Sequence, residues 1–220
     1  MQLRVWVNTR ARHDRFLRRW RMILAATGIH SALILLGMAF VITLVWHNGM
    51  IEQFGPIRLQ PSLPVMVAVP MLLAVACGIS HVAPRTPVIF RNRRTFWARA
   101  LSHATVLVAG LAILAVGDAL AVNEVFGPSL RNALFLSGVA LAASALAGVA
   151  YAWVPVVVVF GVAVLSPADE ATWSVYALVM APTAEAVQII AGAGVCLAGL
   201  ALAAWDPFDR AYLRRAAPRD

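Results

Sequence analysis

The amino-acid sequence predicts an all-α, polytopic membrane protein whose helices form one bundle. Of its 220 residues, 61% are hydrophobic and only 13% are charged, whereas soluble domains are about half apolar and about a quarter charged. The apolar residues are gathered into long blocks, which indicates membrane spans. The basic residues are concentrated at both ends of the chain and in one internal segment, 83–99. Together these observations predict six transmembrane helices with both termini in the cytoplasm.

The N-terminal segment 1–22 precedes the first apolar block and is strongly basic. It carries seven arginines and no apolar core of the length that a signal peptide needs. In a helix, Phe16, Leu17 and Trp20 would lie on one side, which favours an amphipathic helix on the surface of the inner leaflet. A plain basic tail is the alternative. In either case, we expect this segment to stay in the cytoplasm.

Six apolar blocks follow this segment. A block of about 20 residues can cross a hydrocarbon core of about 30 Å as a helix. The fifth span must be short, because only 35 residues run from Arg131 to Leu165. The segments 47–62 and 123–132 are predicted as loops. We predict spans at about 23–46, 63–82, 100–122, 133–150, 153–165 and 184–204.

Two further segments complete the predicted topology. Residues 173–183 are apolar but too few to cross, so we predict an outer re-entrant or interfacial piece before the last span. The chain then ends in a cytoplasmic tail, 206–220.

The distribution of arginine predicts the orientation. The N-terminal segment has seven arginines, 83–99 has five and the C-terminal tail has four, whereas Arg58 and Arg131 alone fall on the other side. Cytoplasmic loops are enriched in basic residues. An odd number of spans would place the arginines of the tail outside, so this bias also favours six.

The basic residues also limit the class of protein. All 18 are arginine, and the chain has no lysine, which suggests a high-GC bacterial genome and hence the bacterial cytoplasmic membrane. A Walker-type ATPase needs the lysine of its phosphate-binding loop, so the chain cannot be such an ATPase itself. Arginines beside spans usually fix topology and contact anionic lipids. We therefore predict anionic lipids, and no nucleic acid, as partners.

Two carboxylates lie in or near the predicted spans. Asp118 is near the outer end of the third span, and Glu185 is near the outer start of the sixth. Carboxylates within a membrane are costly and mark a transport path or a partner. The alternative is that each one is hydrated at the interface or caps a helix end. The sequence has no nucleophile–base pair, HExxH or GxSxG motif, so we predict no catalytic activity.

The histidines suggest a second kind of chemistry. His30, His81 and His103 fall at the cytoplasmic ends of the first three spans, where they could converge as haem ligands. However, no CxxCH motif is present, and interfacial histidines commonly bond to head groups or carbonyls. Cys77 and Cys196 lie inside apolar blocks and are interpreted as small packing residues. No metal or other cofactor is therefore predicted.

The order of these segments resembles a known family. A basic helix leads into the first span, and the arginine-rich segment FRNRRTFWAR joins the second and third. The fourth and fifth spans form a tight hairpin, and a re-entrant piece separates the short fifth span from the sixth. Over nearly the whole chain this layout resembles the permease subunit of type-2 ATP-binding-cassette exporters.

The resemblance implies a transport function without catalysis in this chain. Two six-span units, either two copies or a copy and a paralogue, would pair around a translocation path, and each would dock on a separate cytoplasmic ATPase that binds ATP. The path would include Asp118 and Glu185. The residues implied in ATPase docking are Arg91, Arg93, Arg94, Phe96, Trp97 and Arg99. The alternative for these arginines is that they only fix the topology.

Two other functions remain open at this point. One is a haem- or quinone-linked redox subunit that uses the histidines. The other is a non-transporting accessory subunit of a larger membrane complex, which would share the topology and lack a continuous polar path.

Overall fold

The structure is a computed structural model that describes residues 29–54, 57–80, 93–121, 126–165, 179–181 and 183–205. The predicted N-terminal interfacial helix (1–22), the C-terminal tail (206–220) and most of the predicted re-entrant piece (173–183) lie outside the described residues.

The described residues form a bundle of helices, as predicted. The described helices are α1 Ile29–Trp46, α2 Val65–Ile79, α3 Arg93–Leu120, α4 Phe126–Ala147, α5 Trp153–Leu165 and α6 Ala186–Trp205. Four of them are long and apolar enough to cross a membrane: α1, the part of α3 from Arg99, α4 and α6. Helix α2 has 15 residues, or about 22 Å at about 1.5 Å per residue, and α5 is shorter still. A 3-10 turn, Val149–Tyr151, separates α4 from α5.

Helix α4 begins earlier than the predicted span. It starts at Phe126, so most of the predicted loop 123–132 is helical. The first turn of α4 contains Pro128, which is tolerated there because its missing N–H group is not needed. Arg131, predicted in an outer loop, therefore lies inside α4.

Helix α3 also extends beyond its predicted span. It begins at Arg93, within the segment 83–99 that was predicted to connect two spans. Its apolar part, Arg99–Leu120, agrees with the predicted span at 100–122. Arg93 and Arg94 are thus in the first turn of a membrane helix.

The predicted loop 47–62 contains two strands, which corrects the all-α prediction. Strands β1 (Met50–Phe54) and β2 (Ile57–Pro64) pair antiparallel, with Ile51 opposite Leu63 and an irregularity after Ile51. The main-chain N–H group of Val65 donates to Gly49 O over 2.9 Å. This bond closes the hairpin where α1 ends and α2 begins. We call this end of the bundle the hairpin end.

Helix α4 lies at the centre of the bundle, packed between α2 and α6. Its small and apolar side chains Leu136, Ala140, Leu141 and Ala145 are all buried. By contrast, α1, α5 and α6 expose large apolar side chains, which include Leu33, Val41, Val158 and Ile190. Apolar surfaces of this kind are rare on soluble monomers. The structure therefore agrees with a protein that is surrounded by lipid.

Glycine brings α4 and α6 into close contact. A Cβ atom added at Gly138 would lie 2.5 Å from Val195 O and 2.6 Å from Cys196 N, and one added at Gly199 would collide with Gly138 O. Small residues at helix contacts allow this approach of two backbones in membranes. The close contact of α4 and α6 therefore depends on Gly138 and Gly199.

Candidate functional site

Asp118 lies near the end of α3, where it links that helix to the next. Its Oδ1 atom accepts a hydrogen bond of 2.9 Å from the main-chain N–H group of Phe126, the first residue of α4. Carboxylates at helix N-termini are favourable, because the first N–H groups of a helix have no partner within it. This geometry agrees with the helix-capping alternative for Asp118.

Glu185 immediately precedes α6 and is exposed. Its main-chain oxygen accepts hydrogen bonds from the main-chain N–H groups of Gln188 and Ile189, and its own N–H group donates to Gln188 Oε1 over 3.3 Å. The structure thus places both predicted path carboxylates at helix ends, not in the middle of a span.

The predicted docking residues lie at the start of α3. Arg93 and Arg94 belong to its first turn, while Arg91 lies outside the described residues. The rings of Phe96 and Trp97 meet edge to face, with centroids 5.4 Å apart, and Trp97 is exposed. Arg99 is half-buried one turn further on.

The histidines differ in their surroundings. His30 is exposed on the first turn of α1, and His81 lies outside the described residues. His103 is buried in α3, with its Nδ1 atom 2.8 Å from Ser80 Oγ. The Ser80 hydroxyl donates its one proton to Cys77 O over 2.7 Å, so Nδ1 of His103 must donate to Ser80 Oγ. His103 therefore joins α3 to the end of α2.

This arrangement supplies no evidence for a redox centre. Within the described ranges, no three His, Cys, Asp or Glu side chains gather as metal ligands do. Cys77 and Cys196 are buried and are not joined in a disulfide, in agreement with their interpretation as packing residues.

The most polar part of the described interior is a cluster at the hairpin end that the sequence did not predict. Ser129, Arg131 and Asn132 of α4 and Gln188 of α6 are all buried. We call these four residues the polar cluster. Arg131 is the largest fully buried side chain of the described chain.

Arg131 holds the connection that leads into α6. Its Nη1 atom donates to Thr183 O over 2.8 Å and to Gln188 Oε1 over 3.3 Å, and its Nη2 atom donates to Ala181 O over 3.1 Å. Its Nε atom donates to Asn132 Oδ1 over 3.2 Å. We call residues 179–181 and 183–184 the strap. One guanidinium group thus binds the strap and the first turn of α6 to α4.

Asn132 and Ser129 extend these bonds to α2. The Asn132 amide donates to Val179 O of the strap over 2.7 Å and to Val67 O of α2 over 3.2 Å. The Ser129 hydroxyl donates to Met66 O over 2.9 Å. The polar cluster therefore connects α2, α4, α6 and the strap.

The acceptors of Arg131 are all neutral. Two are main-chain carbonyls and two are side-chain amide oxygens, and no carboxylate among the described residues forms an ion pair with the guanidinium. A buried charge is costly unless it is paired or hydrogen-bonded. The sequence offered one signal for this site: Arg131 and Asn132 directly precede an apolar run without a turn between them.

The comparisons with known proteins find no relative of this chain. No family of proteins, no curated protein and no solved structure matches it. The fold and the polar cluster define a helical membrane protein with a buried arginine at one end of its bundle.

Proposed function

We propose that this chain is the permease subunit of an ATP-binding-cassette exporter of the type-2 class, in the bacterial cytoplasmic membrane. It works with a separate cytoplasmic ATPase and pairs with a second permease unit. The proposal rests on the family resemblance in layout. The observation that supports it best is the succession of a tight α4–α5 hairpin, a short α5 of 13 residues and a strap held against the bundle before α6.

The start of α3 is the proposed contact for the ATPase. It combines the arginines of its first turn with the exposed ring of Trp97. Arginine and tryptophan are enriched at the centres of protein interfaces. The arginine bias of the sequence places this end of α3 on the cytoplasmic side, where an ATPase can reach it.

In this proposal the chain has no catalytic activity and carries no cofactor of its own. ATP binds to the partner, and the paired bundles alternate between two arrangements. Asp118 and Glu185 line the translocation path at the hairpin end, where each one also forms hydrogen bonds with the first turn of a helix.

Co-purification tests the partner directly. The chain, extracted in a mild detergent, is expected to retain a soluble ATPase from its native membrane.

The double variant R93E/R94E tests the docking surface. It is expected to lose ATP-driven transport while the permease stays folded, because glutamate reverses the charge that this surface presents to the ATPase. Arg58→Glu reverses a charge in β2, on the other predicted side, and serves as the matched control.

Three outcomes would contradict this proposal. The first is recovery of the chain without an ATPase under gentle extraction. The second is transport by R93E/R94E that equals transport by R58E. The third is reaction of Arg93 with a label that is applied outside intact cells. A Soret band in the purified protein would instead favour a redox subunit.

A further inference from the structure

Arg131 has hydrogen-bonding capacity that its present acceptors do not match. Its guanidinium group carries five N–H donors, and hydrogen bonds to neutral oxygens engage four of them. A carboxylate or phosphate adds the attraction between opposite charges, and it can accept two parallel hydrogen bonds from a guanidinium group. An oxyanion would therefore be a better partner for this buried charge than the carbonyls that now hold it.

Among the described residues, only the strap provides main-chain oxygens that accept hydrogen bonds from the two terminal nitrogens of Arg131. Nη1 binds Thr183 O and Nη2 binds Ala181 O. Thr183 is exposed and Ala181 is half-buried, so the strap reaches the surface of the described chain next to the buried guanidinium group. These two nitrogens belong to the planar guanidinium fork, which can bind an oxyanion in a bidentate manner.

The start of the strap and Glu185, the residue that follows it, are also held by bonds that do not involve Arg131. Val179 O accepts from the Asn132 amide over 2.7 Å, and Glu185 N donates to Gln188 Oε1 over 3.3 Å. If the carbonyls of Ala181 and Thr183 left the guanidinium group, these contacts would keep the strap attached. The opening would therefore be local and reversible.

From these contacts we infer that Arg131 is an oxyanion-binding site closed by the strap. A phosphate-type oxyanion takes the two terminal nitrogens of Arg131, displaces Ala181 O and Thr183 O, and exposes the strap to solvent. No covalent step is involved. The inference goes beyond the proposed function and does not depend on an ATPase partner.

The anion can come from solution or from a lipid, because both sources present the same chemistry. A ligand shifts a conformational equilibrium only by its difference in affinity for the two states. Replacement of neutral acceptors by a charged one is expected to favour the open strap roughly tenfold, the factor that corresponds to about 1.4 kcal/mol.

Labelling of a cysteine in the strap tests this inference on the isolated full-length chain. Ala181→Cys is introduced, and its rate of reaction with a polar maleimide is measured in uncharged maltoside micelles. The unsubstituted protein corrects for Cys77 and Cys196, which are both buried. Inorganic phosphate is titrated against chloride at constant ionic strength, and a second arm adds phosphatidylglycerol to the micelles without phosphate.

The expected result is a saturable rise in labelling of roughly tenfold that disappears in the R131Q background. Gln53→Cys, at an exposed position of β1, is the matched control and should not respond. A rise with the lipid alone would support the site and identify a head group as the source. If R131Q fails to fold, R131K keeps the charge without the planar fork and should weaken the response.

Two results would overturn the inference. One is a labelling rate that neither phosphate nor phosphatidylglycerol changes. The other is a rise of equal size in R131Q, in R131K or at the Gln53→Cys control, since the effect would then not depend on the guanidinium group.

Discussion

The hydroxyl of Ser129 in α4 donates a hydrogen bond of 2.9 Å to the main-chain oxygen of Met66 in α2. Met66 is four residues before Pro70, which lies inside α2 and has no N–H group to donate to that oxygen. In a membrane the carbonyl that a proline leaves without a donor must find another partner. A side chain of the neighbouring helix thus compensates for the proline.

A double-mutant cycle on Ser129 and Pro70 tests this relationship. Ser129→Ala is expected to destabilise the protein by about 1 kcal/mol, since it leaves a buried carbonyl without a donor. In the P70A background the same change should cost less, because the substituted alanine supplies the N–H group that proline lacks. Thermal unfolding in detergent measures both. Equal costs in the two backgrounds would show that Ser129 does not act through this carbonyl.

Alanine at either glycine of the α4–α6 contact should be strongly destabilising. A methyl group at Gly138 or Gly199 would meet main-chain atoms of the facing helix, which cannot move aside as a flexible side chain can. We expect a loss of roughly 2 kcal/mol for each variant, measured by thermal unfolding.

Gly194→Ala in the same helix α6 is the control for those two variants. No atom lies within 4 Å of a Cβ placed at Gly194, so we expect no loss of stability. A G194A protein as unstable as G199A would mean that helix flexibility, and not the close contact, explains the effect.

Tryptophan substitutions on α1 should have different effects on its packed face and on the face that meets lipid. Ala39 is fully buried against the bundle, whereas Val41 is exposed. Ala39→Trp is expected to prevent correct packing, because the interior has no space for an indole ring. Val41→Trp should be tolerated, since its side chain meets lipid. The yield of monodisperse protein after membrane extraction measures both, and equal yields would contradict this assignment of the two faces.

The contact between His103 and Ser80 predicts unequal effects of two alanine variants. Ser80→Ala should cost little, because His103 Nδ1 is also 3.2 Å from Cys77 O and can donate there. His103→Ala removes a buried ring and leaves a cavity, so we expect a loss of roughly 2 kcal/mol in unfolding free energy. His30→Ala, at an exposed position, is the control and should be neutral.

The helices could be predicted from local sequence because the bilayer constrains them so strongly. A chain in hydrocarbon must satisfy its main-chain polar groups internally, which makes each long apolar block a helix. This reasoning found α1, α3, α4 and α6 as helices long and apolar enough to cross a membrane, and it predicted the shortness of α5. It misplaced the starts of α3 and α4, because a helix can continue past the apolar block that defines a span.

The strands and the polar cluster depend on contacts between distant parts of the chain. The hairpin has two prolines in β2, at positions 61 and 64, and prolines are disfavoured within sheets except at edges. It is held at its base by the bond between Val65 and Gly49. No local pattern of residues predicts such a bond.

The sequence by itself determined that this protein is a helical membrane protein and where its long apolar segments lie, because hydrophobic length and charge act locally along the chain. Only the tertiary structure decided which buried groups bind one another. Arg131 was predicted in a loop, but α4 begins at Phe126 and includes it. Its acceptors, Ala181 and Thr183, are about 50 residues away in the sequence, and packing of the helices brings them within hydrogen-bonding distance.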